Sequence, residues 1–76
     1  MQNLTVNYDN INDILYVSLG TPVPSVSEEN EEGIIVRRRL DNRKISGVTI
    51  LDYKYRIRNK MKIEVPKEID LKLIKV

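Results

Sequence analysis

Apolar and polar positions alternate along much of this chain, with the two-residue period of a β-strand. Leu4, Val6 and Tyr8 alternate with Thr5 and Asn7. The "DNIND" that follows is rich in residues that bond their own backbone in turns. "ILYVSLG" then resumes the period, with Leu15, Val17 and Leu19 facing one way and Ile14, Tyr16 and Ser18 the other. Two such runs across a short polar loop predict a hairpin.

"GIIVRRRL" and "KISGVTILD" predict a second hairpin that turns at Asp41-Asn42, with Asn42 the residue suited to left-handed backbone. On its first strand Ile34, Val36, Arg38 and Leu40 share a face, opposite Ile35, Arg37 and Arg39. On its second strand Ser46, Val48 and Ile50 lie opposite Ile45, Gly47, Thr49 and Leu51. Gly47 inside a strand points to a bulge or a close backbone approach.

"YKYRIRNKMKIEV" alternates again, setting Tyr53, Tyr55 and Ile57 against Lys54, Arg56 and Arg58 before Met61, Ile63 and Val65, and so predicts a further strand. Pro66 interrupts it, "KEID" suits one helical turn, and "LKLIKV" reads as a final strand or a short helix. Between the hairpins "TPVPSVSEENEE" keeps no period. Its two prolines remove backbone donors, so a long mobile loop is expected there. The class that follows is mainly β, an antiparallel meander of hairpins with four to six strands and at most one short helix, leaving room for a small α+β arrangement.

A chain of 76 residues is a single domain, 1–76, and buries only about 60–65% of the surface it exposes when unfolded. It has no Cys, His, Trp or Phe, so disulfides and thiolate or imidazole metal sites are excluded. An open sheet with no clear helix to cover it needs another cover for its apolar face. A homodimer packed face to face is the arrangement expected to supply it. "MQNLTVNYDN" has neither the basic nor the apolar region of a signal peptide, and no apolar run approaches membrane-spanning length, so a cytoplasmic protein without membrane contact is expected.

The net charge of +2 conceals a segregation. Residues 1–33 carry six acidic residues and no basic one, a net −6; residues 34–62 carry ten basic residues against two acidic, a net +8; residues 63–76 balance. That pattern hints at an electrostatic partner or at self-pairing.

Without Cys or His, catalytic chemistry would fall to carboxylates, hydroxyls, lysines and tyrosines. Asp9 and Asp13 flank a loop and have oxygens for a hard cation, but turn-setting is their ordinary role. Glu28, Glu29, Glu31 and Glu32 lack the glycine-centred spacing of a calcium loop, and no phosphate loop is present. No enzyme, metal, cofactor or small-molecule substrate is expected. The basic residues offer more. Arg37, Arg38, Arg39, Arg43, Lys44, Lys54, Arg56 and Arg58, with Tyr53 and Tyr55 interleaved, would make a nucleic-acid face over residues 37–58 if one sheet face gathered them. Glu28, Glu29, Glu31 and Glu32 are the matching acidic contact candidates. Arg38, on an otherwise apolar face, requires a snorkelling path or a carboxylate, for which Glu28–Glu32 of a second copy is a candidate.

"YDNINDILYVSL" resembles the opening motif of the domain of unknown function 2283 family, through Tyr8, Asp9, Asp13, Leu15, Tyr16 and Leu19. Gly33-Ile34-Ile35-Val36 and Gly47-Val48-Thr49-Ile50-Leu51-Asp52 resemble its second half, in the same order and at similar spacing. The resemblance spans about residues 4–52 and suggests a family-like β core at 1–56 with a C-terminal extension at 57–76. The chain departs from the family pattern where Arg37, Arg38 and Arg39 replace acidic residues, and where Asn42 or Arg43 replaces a turn glycine. The resemblance implies a small partner protein with an antitoxin-like role beside a toxin. The expectation is therefore a non-enzymatic protein-interaction module, with a small nucleic-acid-binding protein as the alternative.

Overall fold

The computed structural model describes residues 3–76. Five strands, β1 (Leu4–Asp9), β2 (Ile14–Leu19), β3 (Ser25–Glu31), β4 (Ile34–Arg39) and β5 (Ile45–Leu51), form one antiparallel sheet in the order β1-β2-β5-β4-β3. A short helix α1 (Tyr53–Arg58) and a 3-10 turn at Leu71–Leu73 complete it. Both expected hairpins form, and β2 joins them by pairing with β5 from Ile14↔Leu51 to Ser18↔Gly47. The protein is mainly β with one short helix, as the alternation implies.

Two segments differ from expectation. The first is "TPVPSVSEENEE", whose second half is strand β3, paired with β4 from Ser25↔Arg39 to Glu31↔Ile34. As an edge strand it has one neighbour and two wet faces, so backbone pairing forms it without an apolar period. Pro22 and Pro24 lie just before it, where no ladder bond is needed. The opposite charges of residues 28–39 thus fold into one hairpin.

The second is the strand expected from Tyr53. Asp52 takes a left-handed conformation (φ 54°) and turns the chain off the sheet into α1. Asp13, itself at φ 56°, then caps that helix from across the molecule. Its carbonyl accepts from Tyr53 N–H (3.0 Å), and its carboxylate accepts from Lys54 N–H (2.8 Å) and Tyr55 N–H (3.0 Å). A cap supplied 40 residues upstream leaves no local signature, and six residues are too few to show a helical period.

Smaller corrections follow from backbone geometry. Arg43 (φ 64°), not Asn42, takes the left-handed position of the β4–β5 turn, while the Asn42 side chain accepts from Lys44 N–H at 2.9 Å. Ser46 is the extra residue between the pairs Arg37↔Gly47 and Arg38↔Ile45. That bulge moves Ile45 onto the core face beside Val48 and Ile50, where it is 4% exposed.

The core lies on one face of the sheet. Leu15, Val17 and Leu19 of β2, Ile34 and Val36 of β4, and Ile45, Val48 and Ile50 of β5 are buried there, each stabilising the fold by about 1.5–3 kcal/mol. The same chain covers them: Tyr53 of α1 with Ile69 and Ile74 of the C-terminal segment are buried in the same cluster, and Ile63, Val65 and Leu71 pack against it. The apolar face therefore does not need a second copy as its cover. Among the described residues no helix is long and apolar enough to cross a membrane.

Candidate functional site

The ten basic and tyrosine candidates do not share a face. Arg37 projects from the face opposite the core and lies across Gly47, donating from Nη2 to Val17 O (3.2 Å) and Ser18 Oγ (3.1 Å). Arg39 forks onto Asp41 through Nε (2.9 Å) and Nη2 (2.8 Å). Arg43 and Lys44 sit at the β4–β5 turn, at the same end of the sheet. The other end holds the α1 residues. Arg56 lies over Gly33 and donates to Leu51 O (2.8 Å) and Glu32 O (2.7 Å), tying α1 to the β3–β4 turn. Lys54 places its ammonium 4.8 Å from the Tyr8 ring centroid, and Arg58 lines the same cleft. Tyr53 is buried in the core and Tyr55 is 53% exposed.

Arg38 finds its solution within the chain. Its stem lies on the core-face side of β4, and Nη1 donates to Arg43 O at 3.2 Å. Glu31 and Glu64 of the same chain line the recess it borders, and the Glu64 carboxylate is itself paired with Lys62 at 2.7 Å. Glu28, Glu29, Glu31 and Glu32 are all exposed along β3 and its turn, and Glu29 Oε2 accepts from Gly33 N–H at 3.0 Å.

Asp9 and Asp13 are occupied by hydrogen bonds. The Asp9 carboxylate accepts from Ile11 N–H (3.0 Å), Asn12 N–H (3.1 Å) and Asn12 Nδ2 (2.9 Å), an Asx-turn that closes the β1–β2 loop. Asp13 adds to its helix-capping bonds one from the Tyr8 hydroxyl at 2.6 Å. That short bond holds the Asp13 carboxyl below the usual range and, as the largest cause, pushes the Tyr8 phenol up to about 12. Tyr8 also meets Tyr53 edge to face, ring centroids 6.2 Å apart. The Tyr8–Asp13 pair thus clamps β1 to the start of α1. Among the described residues no group of three or more carboxylates is placed to hold a metal.

The surface that alternation alone does not single out is the face opposite the core. Tyr16 of β2, Thr49 of β5 and Ile35 of β4 lie in one row across the sheet, and Ile14 and Leu51 pair in the next. Tyr16 is 40% exposed and the others are half-buried, Leu51 lining a recess with Arg56 and Met61 at the α1 end. Asn7, Ser18, Glu29 and the pinned Arg37 border this apolar band. A signal for it exists in the doublets Ile14-Leu15, Ile34-Ile35 and Ile50-Leu51, because adjacent apolar residues in a strand put apolar groups on both faces.

One sheet covered on one face by its own C-terminal segment, and open on the other, defines a small single-sheet β domain. The chain belongs to the family described as Protein of unknown function (DUF2283), whose model matches residues 5–54. That match takes in the five strands except Leu4 and ends at the start of α1. No curated protein and no solved structure matches the chain.

Proposed function

We propose that this chain is a non-enzymatic protein-interaction module that docks a partner protein on the open face of its sheet. The observation that carries the reading is the band of Tyr16, Ile35, Ile14 and Leu51, apolar and aromatic at its centre and polar at its rim. That is the anatomy of a protein–protein contact, in which a tyrosine within a desolvated patch supplies much of the affinity. A nucleic-acid surface would instead gather its cations along one groove. Here Arg37 and Arg56 are spent on the chain's own carbonyls, Arg39 on Asp41, and the remainder divide between the two ends of the sheet. The toxin-like protein implied by the family resemblance is the partner class to test first.

The test is co-purification of the tagged chain from its own host after nuclease treatment, with the retained protein identified by mass and rebound in purified form. The reading expects a partner that survives nuclease and rebinds. Loss of the bound material to nuclease, with affinity falling steeply in salt as counterions are released, would move the assignment to nucleic acid.

A further inference from the structure

The two edges of the sheet are built differently. On β3, the outward backbone groups are flanked by Glu28, Glu29 and Glu31, and the register is broken between Glu29 and Glu31. Charges and irregularity of this kind keep an edge from pairing. On β1, "LTVNYD" has no Lys, Arg, Pro or bulge, and its one charge, Asp9, is the last residue. Gly20 N–H donates to Asn3 O at 2.9 Å, which fixes the parity of the β1–β2 ladder. Residues 5, 7 and 9 therefore bond toward β2, and the N–H and C=O groups of Leu4, Val6 and Tyr8 point away from the sheet. The side chains of the same three residues are left half-buried, although their cross-strand partners Leu19, Val17 and Leu15 are buried.

We infer that β1 pairs antiparallel with β1 of a second copy, about a two-fold axis through Val6. The sequence of the strand fits its own reverse. With Val6 opposite Val6 of the second copy, Leu4 faces Tyr8 on the core side and Thr5 faces Asn7 on the open side. This register uses all three outward-pointing residues, each facing pair exchanging two bonds, for about six hydrogen bonds in total. It sets Asp9 opposite Asn3, so no like charges meet. Shifting by one step in either direction leaves one of the three without a partner inside the strand. The half-buried Leu4, Val6 and Tyr8 gain a neighbour on their bare side, which continues the core layer across the junction. The product is a ten-stranded sheet whose remaining edges are the two acid-guarded β3 strands, so pairing closes at two copies. The open face stays free on both halves, so this inference stands apart from the docking proposal and the two can fail separately.

Size-exclusion chromatography with light scattering at about 100 µM tests it, a concentration that reveals association of micromolar strength. The wild-type chain is expected at twice its 8.9 kDa mass. Val6→Pro deletes an outward N–H that no bond among the described residues uses, and is expected to give a folded monomer by circular dichroism. Charge pairs at the wet positions supply an independent check. Thr5→Lys with Asn7→Lys sets lysines opposite lysines and should yield a monomer, whereas Thr5→Glu with Asn7→Lys restores opposite charges in this register and should yield the dimer. A monomeric wild type, a dimer untouched by Val6→Pro, or a monomer from the Glu/Lys pair would overturn the inference.

Discussion

Arg37 lies flat over Gly47, crossing the whole of β5 to reach Val17 O and Ser18 Oγ on β2. The absence of a side chain at Gly47 makes that crossing possible, since a Cβ there would overlap the guanidinium and stand 2.5 Å from Val17 O. Three strands are thereby stitched on the open face by one side chain, which removes the first of the "RRR" arginines from any role as a free cation.

Gly47→Ala is expected to destabilise by about 1–3 kcal/mol, the range for forcing a group into a packed site. Because the intruding methyl and the guanidinium compete for one space, adding Arg37→Ala should cost less than the sum of the two single changes. Urea midpoints at constant m-value measure both quantities, and strict additivity would show that the two residues do not share the space.

The Tyr8–Asp13 bond predicts a pH signature at both ends of the scale. Asp13 is held below the usual carboxylate range, first by the Tyr8 hydroxyl and then by the α1 amides, so its contribution to stability is present above about pH 4 and is lost as pH falls through the depressed value. Tyr8 is raised from 10.0 to about 12, so its contribution is present below pH 10 and is lost as pH rises toward 12. In Tyr8→Phe the Asp13 carboxyl should titrate closer to the ordinary range, and one of the two late-titrating phenols should vanish from the ultraviolet titration, leaving Tyr53, which burial raises. An unchanged Asp13 titration by carbonyl NMR would contradict the assignment.

Arg43 occupies left-handed backbone at φ 64°. Relieving that position with Arg43→Gly removes a penalty of about 1–2 kcal/mol and adds about 0.5–1 kcal/mol of chain entropy to the unfolded state. The net expectation is a gain of between zero and about 1.5 kcal/mol in chemical denaturation. A loss would show that Arg43 makes a contact worth more than the turn strain.

The C-terminal segment lies outside the family match, yet Ile69 and Ile74 are buried against the sheet. Ile69→Ala and Ile74→Ala should each cost about 2–5 kcal/mol. Ile57→Ala, at a site 51% exposed, should stay within about 0.5 kcal/mol. Equal effects at the three positions would mean that the segment does not cover the core.

What the sequence reveals of this fold follows from where alternation carries information. β1, β2, β4 and β5 each have one face on a single core, so Leu15, Val17, Ile34, Val36, Val48 and Ile50 declare their side by period alone. β3 has no buried face, so nothing in Ser25–Glu31 separates a strand from a polar loop. Around α1, period-two alternation persists through a helix because Tyr53 is its one buried residue. The basic candidates were legible as residues but not as a surface. Whether an arginine is free or spent depends on partners such as Val17 O and Leu51 O, which only the fold brings near.

The most direct measurement of the central claim compares nuclease-resistant partner binding by the wild-type chain, by Tyr16→Lys and Ile35→Lys on the open face, and by Ile57→Lys away from it. The docking reading predicts that Ile57→Lys binds as wild type while each open-face lysine weakens binding by about tenfold or more, with all variants folded. Full-strength binding by Tyr16→Lys and Ile35→Lys would contradict it and place the partner elsewhere on the molecule.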